Sequence, residues 1–493
     1  MMERLARLSK RFRAVSGGAL LSLALASCST FNLDQIGWSQ ITPREQDAVA
    51  ESLPPAQRKE HERLVSTYGG VYRAPELQAL IEQTITRLGA ASEKPELKYR
   101  VTILNSPAIN AFALPGGSLY VTRGLISLAN DTAELSSVLS HEMAHVVARH
   151  AAIREEQIRA AVLNSRAISD TLSDPQLGAL ALARSQLSIA KFSRGQELEA
   201  DAVGVGIAAR AGYDPFGASR FLTSMGRFAQ LRATSLGAGQ SKDLDFLSSH
   251  PSTPERISIA VANAKQFANP RAVERDRELF LKALDGVVFG DDPKEGFVRG
   301  RNFLHPNLGI AFTAPENFTL ENTPQAVLGA TPNGKEALRL DAIKANESQT
   351  LAEYISNGWV EGIDTASIEQ LQINGFDAVT ATARGEQWSF RLYAIRLGGS
   401  VYRIAFAARD LTPEIESAFR QAATTFRRVP PEEAQAIKPL RIRLHRVVHG
   451  DTPEKLAARM AYENRPLERF LVINGMQRGA RLTPGDYVKL IVE

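Results

Sequence analysis

Residues 141–145 read His-Glu-Met-Ala-His, inside a stretch whose apolar residues recur at helical spacing. Positions four apart are about one helical turn apart, so His141 and His145 share a face on which two imidazoles can hold one Zn²⁺. Glu142 points toward the same pocket, where a carboxylate can take a proton from a water activated by the ion. Asp131 or Thr132 supplies the N-cap and Glu134 falls in the first turn. Leu135, Val138, Leu139, Ala144 and Val147 form the apolar stripe that such a helix buries. A surface helix carrying two solvated histidines fits this pattern badly.

Hydrolytic zinc sites use three protein ligands and keep one position open for water. The candidate third ligand lies in Ser-Arg-Gly-Gln-Glu-Leu-Glu-Ala-Asp-Ala, residues 193–202, where Glu197 and Glu199 compete. Glu197 and Asp201 are four residues apart and share a helical face, whereas Glu199 points to the opposite side. With Glu197 on the metal, Asp201 can accept a hydrogen bond from a ligating histidine.

The pair HEMAH and E-x-x-A-D (Glu197, Ala200, Asp201) resembles the gluzincin peptidases, which include the CAAX prenyl proteases and HtpX. Within them it is most similar to the soluble, periplasmic BepA-like branch. Three further stretches carry the likeness. Asn110-Ala-Phe-Ala-Leu-Pro-Gly-Gly117 with Leu119-Tyr-Val-Thr122 resembles the hairpin before the active-site helix. Arg149-His150 closes that helix in the same way, and His250-Pro-Ser-Thr-Pro-Glu-Arg256 resembles an H-P-x-T-x-x-R element. The resemblance spans roughly residues 45–270. It implies one zinc per chain with Glu197 as third ligand, peptide-bond hydrolysis, and misassembled envelope or outer-membrane proteins as substrates. Unlike the CAAX proteases and HtpX, this chain has no transmembrane pattern after its N-terminus.

The remaining candidates carry two readings each. His250 approaches the open zinc position and masks it or helps hold the transition state, or it is an ordinary loop histidine; Arg256 is a regulatory or supporting residue, or a solvated one. His150, five residues past His145, is rotated away from the zinc face and reads as supporting or structural. His61, His305, His445 and His449 have no ligand-like spacing. The edge at Asn110, Ala111, Phe112 and Ala113 would take substrate as an added β-strand.

The N-terminus carries Arg4, Arg7, Lys10, Arg11 and Arg13, then an apolar stretch from Ala14 to Ala26 too short to span a bilayer. Leu25-Ala26-Ser27-Cys28 resembles a lipobox, so residues 1–27 read as a lipoprotein leader, Cys28 as the lipidated residue and 28–45 as a tether. Ser29 in place of Asp favours a periplasm-facing outer-membrane anchor. Cys28 is the sole cysteine, which excludes an intrachain disulfide. The leader holds five basic residues and one acid, leaving 53 of each sign in the rest of the chain. The net charge of +4 thus belongs to the leader, and no nucleic-acid partner is implied.

The expected fold is multidomain. A mainly α gluzincin peptidase domain with a small β-hairpin occupies 46–285, an α+β domain 300–430, and a small βααβ module resembling LysM 442–493. The connection from His145 to Glu197, including residues 178–189, is either core helix or a flap over the cleft. Strand-like alternation at 309–313, 337–341 and 378–382, with a hairpin around Gly398-Gly399, marks the α+β domain. The LysM resemblance implies binding to peptidoglycan. A chaperone or assembly factor with a latent protease site is the competing function.

Overall fold

The computed structural model describes residues 48–493 except 52, 173–174, 237–249, 251–252, 268–275, 347, 358 and 463. Side chains are described for these residues other than 48, 51, 56, 166–192 and 233–236. The leader, Cys28 and the tether lie outside the described residues, as do the side chains of 178–189. The chain forms two compact units. One joins Val71–Leu231, Leu244–Phe289 and Leu440–Glu493; the other joins Gly290–Pro439 with the stretch up to Gly70 and Arg232–Asp243. The helix Pro55–Thr67, within the stretch expected to be peptidase, belongs to the second unit, where Gln325 Nε2 donates to Thr67 O at 3.2 Å.

The first unit runs α1 (Pro75–Ala91), β1 (Arg100–Leu104), β2 (Ala111–Leu114), β3 (Ser118–Thr122), α2 (Arg123–Leu128) and α3 (Thr132–Val147). Then come α4 (His150–Leu172), α5 (Pro175–Arg210), α6 (Gly217–Leu236), α7 (Pro254–Phe267) and α8 (Asp276–Leu284). The expected hairpin is present as β2–β3, and β1 extends it into a three-stranded sheet of order β1-β3-β2, with β1 parallel to β3. Arg-Val-Thr-Ile-Leu of β1 was not foreseen; its last four residues are all buried, so it shows no period-two alternation. Helix α3 starts where its sequence permits. Asp131, in extended backbone, accepts from Glu134 N at 2.7 Å, so Asp131 rather than Thr132 is the N-cap. Leu135, Leu139 and Met143 are fully buried along the face that packs into the core.

Among the described residues, no helix is long and apolar enough to cross a membrane.

The second unit is strand-rich. A seven-stranded antiparallel sheet and a four-stranded sheet are built from β4 (Phe297–Arg299), β5 (Asn302–His305), β6 (Ile310–Thr313), β7 (Thr319–Asn322), β8 (Val327–Ala330), β9 (Glu336–Lys344), β10 (Ile363–Ile373), β11 (Phe376–Arg384), β12 (Ser389–Leu397), β13 (Ser400–Ala408) and β14 (Arg427–Arg428). The β12–β13 hairpin turns at Gly398-Gly399, with Leu397 opposite Ser400. Helices α9 (Leu351–Ser356) and α10 (Pro413–Thr424) add to the mixed architecture, and Phe419 of α10 stacks on Phe406 of β13 at 4.7 Å between ring centroids.

The C-terminal segment has the βααβ order: β15 (Arg441–Arg446), α11 (Pro453–Ala457), α12 (Pro466–Ile473) and β16 (Tyr487–Val492), with β15 antiparallel to β16. Its apolar residues Ile442, Leu456, Phe470 and Ile491 belong to the same buried cluster as Leu135 and Leu139 of α3. Gly286 N and Phe289 N donate to Ile442 O and Leu440 O at 2.8 and 2.7 Å. Lys489, fully buried, places Nζ 2.8 Å from both Ser127 O and Ala129 O, the free carbonyls at the end of α2. The segment is thereby stapled to the loop that leads into α3.

Candidate metal centre

Helices α3 and α5 cross at the site, and a glycine permits their approach. A Cβ on Gly204 would lie 3.0 Å from His141 N and 3.1 Å from its Cα, tighter than an ordinary side chain tolerates. Gly204 follows Glu197 and Asp201 on the same helical face, a spacing that the sequence carries but that sequence reasoning did not use.

The cage itself gathers His141, His145, Glu197 and His250, whose ligand-type atoms all lie within 4.8 Å of one another. His141 Nε2 is 3.1 Å from His145 Nε2 and 3.3 Å from His250 Nδ1. Glu197 sits 3.5 Å from each of the two helix histidines and 2.8 Å from His250 Nδ1. Ligands each about 2.0–2.1 Å from a tetrahedral zinc are separated by roughly 3.4 Å, so the spacing of these atoms fits such an ion. The hydrogen-bond inventory agrees. Among the described residues, Oε1 of Glu142 and Oε1 of Glu197 are buried carboxylate oxygens that accept no hydrogen bond, a costly arrangement unless a cation or water is meant to meet them.

Charge points the same way. Glu142, Glu197 and Asp201 are buried against a single guanidinium, that of Arg256. With the imidazoles neutral, as zinc ligation requires, three carboxylates and one arginine leave two formal negative charges, which a divalent ion would cancel. Burial opposes ionisation of Glu197, yet hydrogen bonds from His141 and His250 outweigh it and hold the carboxyl well below its usual range. Asp201 behaves alike, burial being overcome by Arg256 and then His141. Burial likewise disfavours the charged form of His141, but Asp201 and Glu197 more than compensate and lift it to about 9. His145 is pushed down to about 2 by burial and by the neighbouring His141, so it stays neutral, the form that offers a lone pair to a metal. Burial raises the Glu142 carboxyl above its ordinary value.

The supporting contacts are specific. His141 Nδ1 lies 3.0 Å from Asp201 Oδ1, and Arg256 grips Asp201 with two bonds of 2.7 and 2.8 Å while Nη1 lies 3.2 Å from Glu197 Oε2. His250 Nε2 is 3.8 Å from Glu142 Oε1. His250 and Arg256, expected only on sequence position, are thus both part of the buried cluster. His150 does not point away from the site as helical periodicity suggests. Arg149 adopts φ 57°, the left-handed region, and breaks α3 from α4. That turn sets His150 behind His145, with Nδ1 2.8 Å from His145 Nδ1, which fits the supporting role expected of it. Glu199, the rejected ligand, instead lies 3.4 Å from His150 Nε2. Ala111–Leu114 forms β2, an outer strand of its sheet, and packs against α3. Cys28 lies outside the described residues.

Comparison with known proteins gives a consistent assignment. Residues 72–263 match the model of peptidase family M48. The chain is 32% identical over 402 residues to the beta-barrel assembly-enhancing protease of Yersinia pestis, covering 69% of this chain and 80% of that one. It is 28% identical over 295 residues to the protein of the same name from Escherichia coli K12, covering 58% and 56%. It is 34% identical over 201 residues to the mitochondrial metalloendopeptidase OMA1 of Arabidopsis thaliana, covering 40% and 38%. With a buried donor set compatible with one zinc ion, the chain belongs to peptidase family M48, as a zinc metallopeptidase similar to the beta-barrel assembly-enhancing proteases.

Proposed function

We propose that the chain is a periplasmic endopeptidase, lipid-anchored through Cys28 and facing the periplasm from the outer membrane, that cleaves unfolded or misassembled envelope proteins. His141, His145 and Glu197 hold the zinc. Bound there, the ion supplies Lewis acidity to the scissile carbonyl and to the attacking water. Glu142 orients that water, takes its proton on Oε1 and returns it to the leaving amine. Asp201 fixes the His141 ring through Nδ1, and Arg256 holds Asp201 and Glu197 in place. Strand β2, with Ala111, Phe112 and Ala113, and Asn110 just before it would take an extended substrate as a further strand, a mode that selects unfolded segments over native folds. The observation that carries this reading is the unpartnered Glu142 Oε1 beside a cage of three imidazoles and one carboxylate. Envelope substrates are carried over from the beta-barrel assembly named for the Yersinia and Escherichia relatives, and the periplasmic address rests on the leader and lipobox-like segment at residues 1–28. Peptidoglycan binding by 442–493 rests on its βααβ order alone.

His250 supports a second reading, a latent enzyme or assembly factor. Its Nδ1 lies with the helix histidines, where a neutral imidazole occupies the position a water needs. Glu142→Gln separates the two. On the peptidase reading it retains zinc, loses about 10²–10⁴-fold in cleavage of casein and fails to complement a deletion strain. Full complementation by that variant contradicts the peptidase reading and supports the assembly factor.

A further inference from the structure

The two helix histidines are supported unequally. His141 has a buried carboxylate, Asp201, on its Nδ1. His145 has a third imidazole, that of His150, at 2.8 Å. Tautomers follow from the geometry. His145 turns Nε2 toward His141 and Glu197, so to present a lone pair there its ring must carry the proton on Nδ1. That N–H donates to His150 Nδ1, which must then be the unprotonated nitrogen of its ring. His150 therefore carries its proton on Nε2, the atom that faces Glu199 Oε2 at 3.4 Å.

The arrangement is held from several directions. His150 is buried, its carbonyl accepts from Gln196 Nε2 at 3.3 Å, and Gln196 Oε1 in turn accepts from Arg154 at 3.2 Å. Arg149 spends its left-handed conformation on bringing this ring beside His145. Glu199, by contrast, has a side chain 60% exposed.

We infer that His150 and Glu199 are a positioning pair for His145: the Glu199 carboxylate selects the tautomer of His150, and His150 thereby orients His145 toward the metal. The inference rests on His145 being a zinc ligand, as proposed above. Neither residue touches substrate or metal. The pair leads from the cage to an exposed carboxylate, so the support of one ligand reaches the protein surface.

The test is the zinc dissociation constant of the full chain, measured by competition with a chromophoric chelator. His150→Ala should weaken zinc binding by about 10–100-fold. His150→Asn, whose Oδ1 replaces Nδ1 as acceptor, should restore affinity to within about threefold of the parent. Glu199→Ala should weaken binding several-fold in the parent but not in the His150→Asn background, because an amide oxygen needs no tautomer selected. Equal losses in His150→Ala and His150→Asn, or an equal effect of Glu199→Ala in both backgrounds, would reduce the pair to packing and overturn the inference. Parental affinity in His145→Ala sinks the ligand assignment itself. Lost affinity in His145→Ala with parental affinity in His150→Ala sinks only the pair.

Discussion

Each unit buries a charge cluster, and the two are built on opposite plans. In the strand-rich unit, fully buried Asp341 sits between two arginines. Arg403 Nε reaches Oδ1 at 2.6 Å and Arg339 Nε reaches Oδ2 at 2.7 Å, so both carboxylate oxygens are taken. Arg403 also donates to the Tyr354 hydroxyl at 3.0 Å and lies over the Trp359 ring. Burial opposes the charge on Asp341, and Arg403 with Arg339 reverses that and holds the carboxyl below its usual range. Both carboxylate oxygens of that cluster are met by its own side chains, while Arg403 Nη2 has no hydrogen-bond partner among the described residues. Among the described residues of the site-bearing unit, three carboxylates face one arginine, and two carboxylate oxygens accept no hydrogen bond. A carboxylate met on both oxygens by two arginines is structural; a cluster with more carboxylates than arginines and with unbonded carboxylate oxygens awaits a cation. The contrast separates the two without reference to motifs.

The largest effect expected from breaking this contrast is on the closed cluster. Asp341→Leu strands two guanidinium groups inside the strand-rich unit and should cost about 3–5 kcal/mol of stability, read as a lowered denaturation midpoint. Zinc content should be unchanged. Loss of zinc in that variant would mean that the two clusters are not independent.

Asp201→Asn sharpens the other half. An amide oxygen still accepts from His141 Nδ1, but the charge that holds Arg256 is gone. Zinc affinity should fall about 10–100-fold, roughly 1.4–2.7 kcal/mol, with the midpoint of the strand-rich unit unmoved. Parental affinity would show that charge balance around the cage is irrelevant to the metal.

A smaller effect concerns pH. His305, buried in the strand-rich unit, is pushed down by burial from 6.5 to about 3. The folded chain therefore resists a proton that the unfolded chain accepts, so stability is lost as pH falls below 6.5 and continues to fall until about 3. The loss from this residue is about 2 kcal/mol at about pH 5. His305→Gln should flatten urea midpoints between about pH 7 and 5; an unchanged slope would contradict it.

The site was legible wherever local periodicity placed it. His141, Glu142, His145, Glu197 and Asp201 fall together because i, i+4 spacing on two helices states their faces without knowledge of the fold. His250 and Arg256 reached the cluster through a resemblance that fixed their order in the chain but not their geometry. His150 was legible as a supporting or structural residue, but its contact with His145 was not, because the positive φ of Arg149 ends the helical periodicity between them and nothing in an arginine announces that conformation. Strand β1 escaped because burial on both faces erases alternation. The β12–β13 hairpin was plain from Gly398-Gly399 between two alternating runs, whereas the role of Lys489 was not. A buried lysine is legible only through the three backbone carbonyls that receive it, and those lie about 360 residues earlier in the chain.

The most direct test of the central claim is metal analysis of the purified full chain alongside Glu197→Ala and Asp341→Leu. One zinc per chain is expected in the parent and in Asp341→Leu, with zinc lost in Glu197→Ala. A parent without zinc, or full zinc retained in Glu197→Ala, would contradict the claim that the open cluster is the metal centre.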